Sequence, residues 1–272
     1  TAILNLTINQ GDTSYTNITA CDSVVWNGTT YDSSGIYSYS GASNNYSMSF
    51  DGANDSITLL SNSSWDLGAD FTIQAWWNKD IGSTNNAFWT IGDSYLPDGL
   101  ELYVGSGGTV TKVYSGGVPV IEANYSPSTG EWHHYAVVRE SGIVKLYIDG
   151  IQDPNTWSSN LTFNGDLVLG YEVYNNPISP SIPMWCDGLV DNFEIWDISL
   201  SQQEIQQYIN CPPTGSESGL ASSWDFEEGS GTTVLDLTSN GNDGTINGAT
   251  YDANVPTQSC GLTNSNGCDS TA

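Results

Sequence analysis

Residues 134–149, HYAVVRESGIVKLYID, carry the clearest structural signal in the chain. Apolar residues alternate with other residues before and after the break at Glu140-Ser141-Gly142. A period of two is typical of a strand that buries one face, and glycine beside polar residues is typical of a turn. The segment therefore predicts a β-hairpin that ends at the turn formed by Asp149 and Gly150.

The same alternation recurs through much of the chain, interrupted by Gly, Asn, Asp or Ser every ten or so residues. It predicts further strands at residues 47–50, 56–60, 71–77, 99–104, 166–169 and 188–196. A helical pattern occurs only at residues 201–209, SQQEIQQYI, where Ser199 or Ser201 would serve as the N-cap. The sequence predicts an all-β domain of the sandwich type.

The charge of the chain excludes two classes of partner. Its 272 residues include 31 acidic and only 4 basic residues, for a formal net charge of −27. Such a chain cannot neutralise phosphates, which excludes nucleic-acid binding and attraction to anionic lipid. No segment approaches the roughly 18 apolar residues of a membrane span. The carboxylates either keep the protein soluble or, in part, coordinate Ca²⁺, a cation that prefers oxygen ligands.

The ends of the chain differ from its middle. Residues 1–41 are poor in charge and rich in Thr, Ser and Asn, with short predicted strands at 4–8 and 36–39, and the chain returns to this style near its end. We therefore predict one domain at residues 43–260, inserted into a smaller β-module formed by residues 11–42 and 261–272. Five cysteines without a C-x-x-C spacing suit an oxidising, extracellular compartment.

Four motifs between residues 46 and 209 carry a family resemblance. They are SMSFDGAND at 47–55, FTIQAW at 71–76, EWHHYAVV at 131–138 with KLYIDG at 145–150, and DGLVDNFEIW at 187–196 with the helix after it. In this order they resemble the opening strand, second strand, central hairpin and closing strand of laminin-G-like, concanavalin A-like jelly rolls. The resemblance implies a jelly-roll sandwich.

Residues 219–251 resemble a segment that precedes the opening strand in many members of this family. Here the segment follows the closing strand, so we expect it to complete the same sandwich from the C-terminal side. Cys211 and Cys260 flank it closely and are the best predicted disulfide pair. Such a bridge would stabilise the fold by about 4 kcal/mol on the chain-entropy model.

The outer pieces resemble the Ig-like repeats of giant secreted adhesins of Bacteroidota-type bacteria. The resemblance is carried by NITACDS at 17–23, WNGTTY at 26–31, SGIY at 34–37 and NSNGCDS at 264–270. It implies a disulfide between Cys21 and Cys268, which leaves Cys186 unpaired. In such repeats a Cys-Asp-Ser stretch leads directly into a strand like the one at 3–9. Residues 1–10 are therefore predicted to belong to a neighbouring repeat, and copies of the module would join end to end, as in a fibre.

Two possible catalytic arrangements are disfavoured by strand geometry. His133 and His134 are adjacent in a strand, so their side chains point to opposite faces and cannot share a metal ion. Asp191 and Glu194 are three residues apart and would also fall on opposite faces of a regular strand, which argues against a glycosidase acid pair. The sequence predicts a domain that is not an enzyme.

Calcium is the cofactor that the resemblance suggests, because a cation commonly bridges loops at one rim of laminin-G-like folds. The matching oxygen ligands are Asp51, Asn54, Asp55, Asp187 and Asp191. The alternative is an ordinary solvated turn at 51–55 and an edge residue at 191.

Aromatic residues offer a second candidate site, since sugar rings pack on aromatic side chains. The candidates for an exposed platform lie in predicted loops: Trp157, Trp185, Tyr171 and Tyr174. We therefore expect a structural or adhesive module of a large extracellular protein, and alternatively a calcium-dependent, lectin-like domain that binds glycans.

Overall fold

The computed structural model describes residues 24–26, 29–31, 44–60, 68–80, 86–104, 110–125, 127–160, 165–172 and 184–258. Backbone contacts divide the chain into two units, Asn44–Gln258 and a smaller unit of Thr1–Ser43 with Ser259–Ala272. In the smaller unit, β1 (Val24–Trp26) pairs antiparallel with β2 (Thr29–Tyr31). The Ig-like character and the terminal strand predicted for this unit lie outside the described residues and stay predictions.

The larger unit is built from strands, with one helix among its described residues. In chain order they are β3 (Ser47–Asp51), β4 (Ser56–Leu60), β5 (Phe71–Lys79), β6 (Asn86–Ile91), β7 (Leu100–Val104), β8 (Thr111–Ser115), β9 (Val118–Glu122), β10 (Trp132–Glu140), β11 (Ile143–Ile148), β12 (Ile151–Ser158), β13 (Leu167–Leu169), β14 (Asp187–Trp196), α1 (Gln202–Asn210), β15 (Leu220–Trp224), β16 (Thr233–Val234), β17 (Gly244–Asn247) and β18 (Thr250–Asp252).

The strands form two antiparallel sheets. Sheet I has the order β12-β11-β10-β5-β14-β3-β18, and β15 also pairs with β14. Sheet II has the order β16-β17-β4-β13-β6-β7-β8-β9. The inner faces of the two sheets share one apolar core, so the predicted all-β sandwich is confirmed.

The predicted hairpin is β10 and β11, and it shows how the sequence builds the sandwich. Val137 and Leu146 pair across the hairpin and are fully buried in the core between the sheets. Trp77 of β5 stacks on Phe88 of β6 with 4.6 Å between ring centroids, which joins the inner faces of the two sheets. Large aromatic side chains of this kind supply much of the apolar area that stabilises a core.

Helix α1 covers part of the outer face of sheet I, the face turned away from the core. Ser201 is its N-cap and forms a capping box with Glu204, as one of the two predicted caps. Ile205 of the helix packs in a second apolar cluster with Val138 and Trp196 of the sheet. The helix fixes which part of sheet I is closed to solvent.

The C-terminal segment joins both sheets, as predicted. β15 and β18 pair with β14 and β3 in sheet I, while β17 pairs with β4 in sheet II. Cys211, which precedes this segment, is disulfide-bonded, and Cys186 is free and buried. The partner of Cys211 is therefore one of the three cysteines outside the described residues, and the specific pairing with Cys260 stays a prediction.

Several strands were not predicted, for different physical reasons. β6 is buried along its whole length, so its residues show no alternation. β12 is an exposed edge strand that contains Pro154, a residue that normally argues against a strand. β8 and β9 are joined by Gly116 and Gly117, both with positive φ, which is a common hairpin signal that the sequence did contain.

Candidate functional site

An aromatic pair lies beyond the end of β13. Tyr171 and Trp185 form an isolated antiparallel bridge, and their ring centroids are 4.6 Å apart with 32° between the planes. Both side chains are partly exposed. The hydroxyl of Thr90 donates to the carbonyl of Tyr171 over 3.2 Å, which holds the pair at the outer face of sheet II.

The register of sheet II identifies what lies near this pair. Thr90 on β6 faces Glu101 on β7, and Glu101 faces Tyr114 on β8. Their neighbours Leu100 and Leu102 point into the core, so these three side chains point to the outer face. The outer face of sheet II therefore combines aromatic, hydroxyl and carboxyl groups.

Two carboxyl groups are buried on this face. Glu101 is 1% exposed and Glu172 is 2% exposed, and Ser94 Oγ donates to Glu172 Oε1 over 3.4 Å. Burial raises the pKa of Glu172 to about 7, and burial together with the charge of Glu172 raises the pKa of Glu101 well above its usual range. Glu101 Oε1 has no hydrogen-bond partner in the structure.

The predicted aromatic platform is therefore brought together only in part. Tyr171 and Trp185 are in contact, whereas Tyr174 lies outside the described residues. Trp157 was expected in a loop but lies in β12, opposite Val144, and packs against the core from sheet I. β12 was not predicted as a strand because it lies at the edge of the sheet and contains a proline.

The predicted calcium ligands at residues 51–55 form a compact turn. Asp51 faces Asp187 across β3 and β14. Asp55 Oδ2 accepts the amide of Asp51 over 3.0 Å, and Asp51 Oδ1 accepts the amide of Ala53 over 2.9 Å. Burial raises the pKa of Asp55, while Asn54 is exposed.

Asp191 is separate from this turn. It lies four residues beyond Asp187 on β14, a distance of about 13 Å along a strand. Its carboxylate accepts from Asn44 Nδ2 and from the amide of Asn192, both over 2.8 Å. The structure therefore divides the predicted ligand set into two places.

No three acidic, histidine or cysteine side chains converge on a possible metal position among the residues that the structure describes. A calcium ion at the turn would thus depend on Asn54 and backbone carbonyls as well as on carboxylates, since it takes six to eight oxygen ligands. Calcium binding stays a prediction.

The prediction that Asp191 and Glu194 lie on opposite faces of the strand is wrong. Asp191 faces Trp76 and Glu194 faces Gln74 across β5, so a β-bulge places both carboxyl groups on the outer face of sheet I. Asn192 within the bulge has a φ of 47°, in the left-handed region. The extra residue shifts the alternation by one, which a regular period of two cannot anticipate.

This acid pair is nevertheless closed to substrate. Asp191 and Glu194 are both buried, and Glu194 Oε2 accepts from Gln74 Nε2 over 2.6 Å and from Trp196 Nε1 over 3.0 Å. Burial raises the pKa of Glu194 to about 8. A protonated, hydrogen-bonded carboxyl group beneath covering structure contributes to packing rather than to glycosidic bond cleavage.

A serine, a histidine and an aspartate form a chain that the sequence analysis did not find. Ser128 Oγ lies 2.9 Å from His133 Nε2, and His133 Nδ1 lies 2.8 Å from Asp149 Oδ2. His133 and His134 face Trp77 and Trp76 of β5, so the prediction of opposite faces is confirmed. Ser128 was missed because the loop before β10 folds back onto the strand, and such a contact cannot be predicted from a periodic sequence pattern.

These three residues resemble a nucleophile, a base and an orienting carboxylate, but the serine proton is shared. Ser128 Oγ also donates to Glu131, and in the tautomer in which His133 Nδ1 donates to Asp149, His133 Nε2 is a second acceptor for the same hydroxyl proton. Asp149 in turn accepts the amide of His134 over 3.0 Å. The network ties the loop before β10 to the turn after β11.

Comparison with known proteins agrees with this architecture. A laminin G-type family model described as the concanavalin A-like lectin/glucanases superfamily matches residues 22–206. No curated protein matches the chain.

The solved structures of similar fold include two that match over most of this chain. A candidate carbohydrate-binding protein from Bacteroides ovatus is 18% identical with a TM-score of 0.62, and the match covers 80% of this chain and 62% of that one. The heptameric SAP-like pentraxin of Limulus polyphemus is 14% identical with a TM-score of 0.53, covering 80% and 98%. The match to the family model spans more than half of the chain, which therefore belongs to the concanavalin A-like lectin/glucanases superfamily.

Proposed function

We propose that this domain is a non-catalytic, lectin-like module that binds glycans at the outer face of sheet II. The observation that carries the proposal is the partly exposed stack of Tyr171 and Trp185 beside hydroxyl and carboxyl groups. Aromatic rings with a few polar groups around them form the usual surface for a ligand that has both apolar and hydroxylated faces. A carbohydrate is such a ligand.

Two further observations support binding rather than catalysis. The acid pair on sheet I is buried and hydrogen-bonded, and the proton of Ser128 is shared with Glu131. The Bacteroides ovatus protein of similar fold is described as a candidate carbohydrate-binding protein. Both fit a domain that holds a glycan without cleaving it.

An extracellular location is part of the proposal. Cys211 is disulfide-bonded, and structural disulfides persist in oxidising compartments. The described part of the chain contains no helix with the length and hydropathy needed to cross a membrane. A glycan-binding domain carried in a larger extracellular protein would act as an adhesive module, with calcium and neighbouring repeats as predicted partners.

A glycan array with purified protein tests the proposal. We expect binding by the intact protein and at least a tenfold loss of affinity, about 1.4 kcal/mol, in Trp185→Ala. Trp157→Ala, which removes an indole from sheet I, should keep the affinity and serves as the matched control. Equal binding by Trp185→Ala and the intact protein would place the glycan site elsewhere, and absence of all binding would contradict the proposal.

A further inference from the structure

We infer that the aromatic pair Tyr171–Trp185 takes uncharged glycans and rejects acidic ones. This inference rests on the proposed function and names the ligand class of the same site. It follows from where every positive charge of the chain is located, and from which charges surround the pair.

The whole chain has four basic residues, and the structure describes all of them. Lys79 is 4% exposed, and Arg139 is 6% exposed and donates through Nη2 to the carbonyl of Ser159 over 2.8 Å. The other two are paired with acids: Lys112 Nζ lies 3.4 Å from Glu122, and Lys145 pairs with Glu140.

A carboxylate or sulfate group on a sugar is usually recognised by an arginine fork or a lysine ammonium. In this chain both of the partly exposed cations are already paired with acids, and the other two are buried. An acidic glycan would therefore find no free cationic side chain that compensates the loss of its hydration.

The surroundings of the pair are negative instead. Glu172 is the residue after Tyr171, Glu101 is buried beside it, and the charge of Asp93 acts on Glu172. Asp187 follows Trp185 by two residues. Above the pKa of about 7 for Glu172, its carboxylate repels an anionic ligand together with Asp93 and Asp187, and the net charge of −27 adds to the repulsion over longer distances.

An uncharged sugar meets none of these costs. Its hydroxyl groups can donate to a phenol oxygen such as that of Tyr114 on the outer face of sheet II, and its ring face packs on an indole. The site therefore separates ligands by charge, whatever the sugar sequence.

Matched pairs of glycans test the inference. Oligogalacturonate is compared with its methyl ester, and hyaluronan fragments with their carboxyl-reduced forms, by calorimetry at pH 8 in EDTA and again in calcium. For each pair that binds, we expect the uncharged member to bind at least tenfold more tightly at low salt. The difference should narrow as salt screens the repulsion.

Three outcomes are decisive. A preference for the uncharged members supports the inference. An acidic member that binds as tightly as its uncharged partner, in EDTA or in calcium, overturns it while leaving the proposed function intact. Absence of binding by every glycan overturns the proposed function, and the inference falls with it.

A pair of variants tests whether the discrimination is local. At pH 8, above the pKa of about 7 for Glu172, Glu172→Gln removes a charge beside the aromatic pair, and Asp197→Asn removes one from an exposed position just after β14 of sheet I. We expect the ratio of uncharged to acidic affinity to fall at least threefold in Glu172→Gln and to stay constant in Asp197→Asn. Equal changes in both variants would attribute the discrimination to net charge alone and overturn the role of the site.

Discussion

The outer faces of the two sheets bury acidic groups in different ways. On sheet I, Glu194 is hydrogen-bonded by Gln74 and Trp196 close to the cluster that α1 covers. On sheet II, Glu101 leaves one oxygen without a partner, and Tyr171 and Trp185 remain partly exposed. A buried carboxyl group is thus no sign of a binding site by itself, and the site that we propose differs by the partly exposed aromatic pair beside it.

The contrast between the two outer faces depends on which element covers each of them. On sheet I, β14 is followed in the chain by the amphipathic helix α1, whose Ile205 packs in the cluster of Trp196 and Leu200. Sheet II receives no helix among the described residues, and its outer face is met by the short bridge at Tyr171 and Trp185. One outer face is consequently closed by the helix, and the other carries the site that we propose for a ligand.

Removal of one tryptophan from each face should give the largest difference. Trp196→Ala deletes a fully buried indole and is expected to lower the free energy of unfolding by about 3–5 kcal/mol. Trp185→Ala deletes a partly exposed one and should cost about 1 kcal/mol. Urea unfolding measures both changes. Similar losses would mean that the two faces are equally part of the core, and the comparison would fail.

The pH dependence of stability sharpens the comparison. The carboxyls of Glu194 and Glu172, with folded pKa values of about 8 and about 7, bind protons more tightly than in the unfolded chain, where the ordinary value is 4.5. Between pH 4.5 and these folded-state pKa values, the folded state therefore binds more protons than the unfolded chain does. Stability should be greatest below pH 4.5 for these groups and fall as pH rises, by up to about 1.4 kcal/mol per pH unit and group.

Replacing each glutamate with glutamine distinguishes the contributions of the two sheets to this pH dependence. Glu172→Gln should reduce the fall of the unfolding free energy with pH up to about pH 7, and Glu194→Gln should reduce it up to about pH 8. Thermal unfolding between pH 5 and pH 9 provides the measurement. If stability instead rises with pH in this window, neither carboxyl group is buried in its protonated form.

Calcium should have the smallest effect, and it concerns the turn rather than either outer face. At a calcium concentration several times the dissociation constant, we expect stabilisation of about 1 kcal/mol over EDTA. Asp51→Asn should abolish this increase in the melting temperature, while Asp191→Asn should retain it, since Asp191 lies elsewhere. Identical melting curves in calcium and EDTA, with no metal by elemental analysis, would exclude the site.

Much of the sandwich could be predicted because most of its strands bury one face. Alternation along β10 and β11 is preserved in the structure, with Val137 and Leu146 inside and Ala136 outside. β6 escaped prediction because a bulge between Ala87 and Trp89 interrupts its alternation and all of its residues are buried. The sequence pattern reports one-sided burial and nothing else.

The candidate site was less accessible to sequence reasoning. The contact between Tyr171 and Trp185 brings together residues on either side of a long connection, and composition alone suggested it. The bulge at Asn192 and the return of Ser128 to His133 depend on local backbone geometry that no spacing encodes. The sheet face on which a residue lies can be predicted from alternation, whereas a contact between two loops cannot.

The place of the C-terminal segment has a consequence for synthesis on the ribosome. β3 and β4 are the first strands of the larger unit to be made, yet their partners β18 and β17 emerge last. Until residue 252 leaves the exit tunnel, both early strands have an open edge that can pair with other chains. A nascent chain that stops after α1 would expose these edges permanently, so premature termination there would yield aggregation-prone fragments rather than a smaller folded domain.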